Sequence, residues 1–559
     1  MIEACSVDTV RAAEQPLLDA GLGDLLMRRA ARGLARECER QLRLTTPDGA
    51  LRGTTAVLLV GSGNNGGDGL WAGSFLRARG VAVTAVLTGS RVHEDGLAAL
   101  RAAGGSVLRL SDHDDAAHRR NADLPDSVAA AGPVGVDQAV SLMASAHLVV
   151  DAVLGTGASG GLRGAVAELV AAFHDRAPEQ GRGTGQRTPR VVACDLVSGV
   201  SGDTGEAPEP LLRAHATVTF GAAKTGHVVS PGEQVTGELT VVPIGIEDRL
   251  GDAAVHRLEA QDVLAAWPRP GATDTKYSRG VLGVVAGAPS YPGAAIMCTQ
   301  AAVNAGAGMV RFLGDSTARA MVLARSPEVV CSDDQPWDVH VQAWLAGPGV
   351  VGDESQAARV QAVIEAKEPA VLDAGALDAA ARSVADARLG PHKVLTPHAG
   401  ELSQIFEWLH GFGLCDAAVE RSDIEAAPLH WAREAARLTG ATVLLKGATT
   451  VIASPVGDAA SSSGAGECLC LSVGDASPWL ATAGSGDTLA GILGTVLAHV
   501  AEHPQALAGL GDWARGAGRW AAAAALGAGL HALASRVRGE SPVPPSVLAE
   551  NVRAVLTRP

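Results

Sequence analysis

The chain has 559 residues, 47% of them hydrophobic and 19% charged, which excludes a disordered protein and a small disulfide-stapled one and leaves room for two large folded domains. Lys and Arg number 45 against 60 Asp and Glu, a formal charge of −15 spread along the chain, which excludes a general nucleic-acid-binding coat. The eight cysteines show no C-x-x-C and no zinc-like Cys/His spacing, so reduced thiols and a cytoplasmic protein are expected.

The first fifteen residues carry Glu3, Asp8, Arg11 and Glu14 and lack the apolar run of a secretory leader. Leu25, Leu26, Ala30, Leu34 and Cys38, with arginines between them, predict an amphipathic helix. Strand-like runs follow at 55–60, 81–88, 147–150, 190–194, 216–220 and 239–244, interleaved with Ala/Leu-rich helical stretches. That alternation predicts an α/β fold with parallel strands. Segments 112–138 and 177–190 read as long surface loops. The pattern lapses in the charged stretch 247–261 and at Trp267-Pro-Arg-Pro-Gly271, which divides the chain into domains 1–250 and 251–559. A second series of strands is predicted at 281–286, 309–313, 344–346, 370–372, 393–395, 442–445 and 450–453, and the Gly/Ser-rich 461–466 as a mobile loop. The Ala-rich 520–534, interrupted by Gly527, Gly529 and His531, reads as a packed helix, so no membrane partner is expected.

In the first half, the strand at 55–60 runs into Gly61-Ser-Gly-Asn-Asn-Gly-Gly-Asp-Gly69 and then a helix. Glycines let a backbone approach a phosphate, and a helix N-terminus supplies unpaired N–H groups. Gly61, Gly63 and Gly66 satisfy G-x-G-x-x-G, but the second strand ends Val86-Leu-Thr-Gly-Ser90 with no acid for a ribose, which weakens a dehydrogenase reading. Asn64, Asn65 and Asp68 exceed what a pyrophosphate cradle needs. Two further strand ends carry Asp151 before Gly155-Thr-Gly157, and Asp195-Leu-Val-Ser-Gly199. In a parallel sheet such loops converge at the carboxyl edge.

With these motifs the first half resembles the YjeF-type NAD(P)H-hydrate epimerases. The resemblance implies a Rossmann-like three-layer αβα domain. Asn64, Asn65, Gly66, Gly67 and Asp68 would hold the hydrated dinucleotide, together with Gly155, Thr156, Gly157, Ala158, Ser159, Gly160 and Gly161. It further implies a K+ held by Asn65, Asp151 and Ser198, with Asp195 binding substrate and acting as acid/base. Val197 stands where the family usually has proline.

In the second half, Thr396-Pro-His-Ala-Gly-Glu401 follows a strand, Lys446-Gly-Ala-Thr-Thr450 links two strands, and Ala483-Gly-Ser-Gly-Asp-Thr488 opens a helix. The last forms an anion-binding helix start with Asp487 beside it, able to deprotonate a hydroxyl during phosphoryl transfer. No Walker A or protein-kinase motif is present. With Lys276-Tyr-Ser-Arg-Gly280 and Tyr291-Pro-Gly-Ala294, these motifs are similar to the ADP/ATP-dependent NAD(P)H-hydrate dehydratase branch of the ribokinase-like superfamily.

That resemblance implies a ribokinase-like αβα domain in which Ala294, Gly349, His398 and Asp487 contact the hydrated dinucleotide. Lys446, Gly447, Ala448, Thr449, Thr450 and Gly486 would hold ADP or ATP with Mg2+, with ADP favoured. Asp373-Ala-Gly375 stands where the branch usually has D-A-D. Together the halves imply repair of NADH or NADPH hydrated at nicotinamide C6. The first would interconvert the R and S epimers. The second would phosphorylate the S hydroxyl through Asp487 and eliminate phosphate to regenerate the reduced cofactor. Small-molecule substrates and a homo-oligomer are expected. The alternative is a ribokinase-like small-molecule kinase fused to a non-catalytic binding domain.

Overall fold

The computed structural model describes residues 1–111, 124–157, 160–180, 188–456 and 468–557. The expected mobile loop 461–466 and positions 158 and 159 lie outside them. The chain divides into two compact units, Glu3–Ala253 and Ala254–Pro559, the latter counting Met1–Ile2 with it.

In chain order the strands up to Ala253 are β1 (Ile2–Cys5), β2 (Thr55–Val60), β3 (Ala82–Leu87), β4 (Ser106–Leu110), β5 (Gly132–Val134), β6 (Leu148–Ala152), β7 (Arg190–Cys194), β8 (Ala216–Phe220), β9 (Ala223–Lys224) and β10 (Glu238–Val242). Eight of them form a sheet in the order β10-β8-β7-β6-β2-β3-β4-β5. Every pairing in it is parallel. The chain thus runs outward from β2 to β5, returns to β6 and runs outward the other way. The loops after β2 and β6 therefore diverge and leave a crevice at the carboxyl edge, the usual ligand position in such sheets. The helix Gly23–Arg43 buries Leu26, Ala30, Leu34 and Cys38 under the sheet, whereas Leu25, one position off that stripe, is 44% exposed.

The second unit holds β11 (Val255–Arg257), β12 (Val281–Val285), β13 (Met309–Leu313), β14 (Val330–Ser332), β15 (Ala343–Ala346), β16 (Ala370–Leu372), β17 (Lys393–Leu395), β18 (Thr442–Leu445), β19 (Thr450–Pro455) and β20 (Cys468–Val473), in the order β14-β13-β12-β15-β16-β17-β18-β19-β20-β11. Its pairings are parallel except those of β19 with β18 and β20, which the short Lys446–Thr449 turn makes antiparallel. The switch here lies between β12 and β15. Helix Gly518–Ser535 is buried along nearly its whole length, and no described helix is long and apolar enough to cross a membrane.

Two sequence readings need correction. Segment 112–138, read as a loop, contains helix Asp126–Ala129, strand β5 and the start of helix Val136–Ser145 in its described part. The charged stretch 247–261 contains β11. Each element is three or four residues long in strand or first-turn form, too short for a hydrophobic period to register.

Candidate active sites

In the first unit the loop after β2 enters helix Asn64–Ala78 with Gly63 as N-cap and no side chain capping it. A Cβ on Gly66 would meet the Gly61 carbonyl oxygen at 2.1 Å, and one on Gly61 would meet the Val153 carbonyl oxygen at 1.9 Å, so the turn closes only with bare backbone. A cavity of about 870 Å³ opens beside it. Its walls include Asn65, Asp68, Thr156, Asp195 and Lys224, and, from helix Val7–Asp19, Arg11 and Glu14.

Asp195 adopts φ +64, a conformation an aspartate reaches more readily than most residues. Its Oδ1 accepts the Lys224 ammonium at 2.7 Å and the Thr219 hydroxyl at 3.0 Å, and its Oδ2 accepts the Thr156 N–H at 3.4 Å. Burial pushes this carboxyl up, but the adjacent Lys224 charge and these hydrogen bonds outweigh it and hold it below the usual carboxylate range. His227 Nδ1 accepts the Lys224 backbone N–H at 2.9 Å, which places the ring proton on Nε2 for donation to the Asp195 carbonyl at 2.7 Å. Burial and the Lys224 charge lower His227 to about 4, so it stays neutral. Asp151 accepts the Ser198 hydroxyl at 2.5 Å and the Ser198 N–H at 2.8 Å, and burial still raises it above the usual range. Asn65 packs against Gly155, and neither atom of its buried amide has a hydrogen-bond partner among the described residues.

In the second unit Asp487 lies in the first turn of helix Ser485–Glu502, after Gly484 at φ +92. Asp373, at the end of β16, accepts the Lys446 ammonium at 2.9 Å and the Thr396 hydroxyl at 2.7 Å. Lys446 also lies 3.5 Å from Glu401. Gly486 stands beside this pair: a Cβ there would lie 3.7 Å from the Lys446 ammonium and 3.9 Å from Asp373 Oδ2. His398 caps helix Ala399–Gly411 in a reciprocal box with Glu401, and bridges to Lys446 through the backbone. Ala294 and Gly349 adjoin across the β12/β15 switch, and Met297, one turn beyond Ala294, packs on Gly484. Thr449 is buried, while Gly447 and Ala448 form an exposed turn.

A family model described as YjeF-related protein N-terminus matches residues 23–226, and one described as NAD(P)H-hydrate dehydratase matches 282–553. The bifunctional NAD(P)H-hydrate repair enzyme of Mycobacterium tuberculosis is 39% identical over 88% of this chain and 88% of its own length. The chain belongs to the bifunctional NAD(P)H-hydrate repair enzymes. The Mycobacterium leprae relative is 38% identical over the same shares, and an NAD(P)H-hydrate epimerase of Clavibacter michiganensis is 39% identical over 43% of this chain and 88% of its own. An ADP/ATP-dependent NAD(P)H-hydrate dehydratase from Bacillus subtilis, co-crystallised with ATP/Mg2+, is 24% identical over 54% of this chain and 97% of its own, with a TM-score of 0.42.

In this repair enzyme the epimerase domain comes first and the dehydratase domain second. Asn64 to Asp68, Gly155 to Gly157, Asp151, Asp195 and Ser198 gather at one strand edge, and Asp487, Lys446, Gly486 and His398 at the other. Sequence reading missed Lys224, Thr219 and His227, which fix Asp195, and Arg11, whose guanidinium holds the Thr156 carbonyl at 2.9 Å. It also missed the partnership of Asp373 with Lys446. One signal was available. The repair enzyme has five lysines against a large excess of arginine, and Lys224 sits in the apolar run Phe220-Gly-Ala-Ala-Lys-Thr-Gly-His-Val-Val229. A compact ammonium fits a buried three-acceptor pocket that a guanidinium would overfill.

Proposed function

We propose that the cavity of the first unit binds the hydrated dinucleotide and inverts its C6 centre, and that the edge around Asp487 phosphorylates and dehydrates the S epimer. The observation that carries this reading is the Asp195 carboxylate, kept ionised by Lys224 in the wall of a glycine-lined cavity large enough for the nicotinamide end of a dinucleotide. Arg11 and the uncapped helix start offer positive potential for the phosphates.

The donor set around Asn65 suits K+. Among the described residues its buried amide oxygen has no partner, Asp151 is a buried carboxylate with no basic group in its hydrogen bonds, and Ser198 adds a hydroxyl. Asn65, Asp151 and Ser198 would hold the ion, and it would supply fixed positive charge beside the substrate. Among the described residues no cluster of three His, Cys, Asp or Glu forms a metal cage, so Mg2+ in the second unit would arrive with the nucleotide phosphates.

In the second unit Asp487 takes the proton of the C6 hydroxyl as the oxygen attacks the terminal phosphate of ADP or ATP. Phosphate is a far better leaving group than hydroxide, and its loss restores the nicotinamide. Lys446 to Thr450 and Gly486 hold the nucleotide, with ADP favoured and converted to AMP and phosphate. Ala294, Gly349 and His398 hold the substrate. The carboxyl that D-A-D would add is absent. A Cβ on Gly375 would meet the Val350 carbonyl oxygen at 2.3 Å, so this backbone has no room for it, and Asp487 works with Asp373 alone.

The test supplies purified protein with both epimers of hydrated NADH, K+, Mg2+ and either ADP or ATP, and follows reduced-nicotinamide absorbance. Recovery beyond the S fraction, faster than spontaneous epimerisation, is expected with ADP. Accumulation of a stable phosphorylated product without the reduced cofactor would return the second unit to the small-molecule kinase reading. Sedimentation of the same sample checks the expected homo-oligomer, and fractionation of cells the expected cytoplasmic location.

A further inference from the structure

The epimerase cavity contains a second carboxyl that the reading above uses only for binding. Asp68 lies on helix Asn64–Ala78, is 8% exposed, and lines the same cavity as Asp195. Its Oδ1 is buried with no hydrogen-bond partner among the described residues. The two carboxyls are treated in opposite ways by their surroundings. Asp195 has an ammonium, a hydroxyl and a backbone N–H on its oxygens, whereas Asp68 Oδ1 accepts no hydrogen bond from the described residues. Burial raises Asp68 well above the usual carboxylate range, and the charges of Asp195 at the end of β7 and Glu14 on helix Val7–Asp19 add to it against the pull of Lys224 on β9. Two carboxyls whose environments drive their proton affinities apart mark an acid and a base in one site.

We propose that Asp68 is a second catalytic residue of the epimerase, the proton donor that works with Asp195 in a ring-opening inversion at C6. The proposal rests on the epimerase reading of this unit. The C6 centre of the substrate carries both a hydroxyl and the ring nitrogen, so it is a carbinolamine. Asp195 takes the hydroxyl proton, the O–H electrons form the C6 carbonyl, and the C6–N1 bond breaks with its electron pair going to N1. Asp68 delivers a proton to N1. Rotation about C5–C6 presents the other face of the aldehyde. N1 then adds to C6, Asp68 recovers its proton from N1, and Asp195 returns its own to the oxygen. Nothing is oxidised or reduced, no water is consumed, and the carbon–oxygen bond stays intact. A neutral carboxylic acid is required at N1 and an anion at the hydroxyl, and the surroundings push the two carboxyls in those directions, Asp68 up by burial and Asp195 down by the Lys224 charge and its hydrogen bonds.

The experiment compares the full-length parent chain with Asp68→Asn, which keeps the shape and an N–H but cannot give up a proton. The R-to-S rate is read by coupling to dehydration, affinity for hydrated NADH by equilibrium binding, and folding of the variant by its circular dichroism and thermal transition. Epimerisation should fall by about 100-fold or more, the scale of a lost general acid, with affinity within about threefold. Asp68→Glu should recover part of the rate. In the parent, epimerisation should decline at high pH as Asp68 ionises, and oxygen-18 at the C6 hydroxyl should be retained through inversion. An Asp68→Asn rate within about threefold of the parent, a rate loss matched by an equal loss of affinity, or loss of the label at every turnover would overturn the proposal while leaving the epimerase reading standing. A parent chain that does not epimerise would overturn both.

Discussion

Each unit places a lysine among aspartates at the carboxyl edge of its sheet, but the lysines choose differently. In the first, Lys224 takes the carboxylate assigned to the chemistry, 2.7 Å from Asp195. In the second, Lys446 takes the neighbour, 2.9 Å from Asp373, and Asp487 makes no ion pair among the described residues. Asp195 is therefore held below the usual carboxylate range. Burial and then the Asp373 charge raise Asp487 to about 6, with Lys446 pulling the other way. The same parts thus give a standing anion in one site and, in the other, a carboxyl whose proton affinity is raised to about 6, the property that the proposed general base needs. Which carboxylate the lysine holds decides the proton affinity of its neighbour.

The comparison breaks most completely at Asp487. Asp487→Asn should lower dehydration of the S epimer by about 10²- to 10⁴-fold, the range of general base catalysis, and leave R/S interconversion untouched; an equal loss of both, read on separate epimers, would mean the sites are not independent. Next comes Lys224→Met, which strands the Asp195 charge in a buried site. Breaking such a pair costs about 3–5 kcal/mol, to be read as a lowered transition of the first unit by calorimetry, together with lost epimerisation. The double change with Asp195→Asn should recover most of the stability and none of the activity.

A smaller effect is shared by the two units, and so sharpens what is special to their lysines. His227 in the first and His531 in the second are buried neutral with values lowered to about 4, burial being the main cause in both. Between the ordinary value of 6.5 and about 4 the unfolded chain binds protons that the folded chain does not. Stability therefore falls as pH falls through that window, by about 3 kcal/mol per histidine, and denaturant titrations at pH 7 and pH 4.5 should show it in both units alike. The smallest effect is the most discriminating. The dehydratase kcat/KM should fall about tenfold per pH unit below about 6, where Asp487 takes up a proton, while epimerisation holds to lower pH. Asp373→Asn removes a like charge and frees Lys446, so it should move the dehydratase limb to lower pH.

The strand-end loops were legible because each site segment is contiguous: Gly61 to Gly69, Asp195 to Gly199 and Ala483 to Thr488 carry their chemistry in neighbouring residues after a recognisable apolar run. The groups that tune those loops were not. Thr219 and Lys224 reach Asp195 from β8 and β9, and the sequence gives no measure of which strand lies beside β7. Strand order is a property of the closed sheet. Helix Val7–Asp19 was also invisible as a cavity wall, since Arg11 and Glu14 look like ordinary solvated charges until the cavity gives them a position. The short strands β5, β11 and β14 were missed because three residues cannot display an alternation.

The interlock of Gly61, Gly66 and Val153 bears on the kinetics of capture. With the Gly61 carbonyl lying where the Gly66 side chain would be, and the Val153 carbonyl where that of Gly61 would be, the two loops brace each other before any ligand arrives. Little conformational entropy remains for a dinucleotide to remove there, so association at this loop is set by encounter and desolvation more than by folding around the guest.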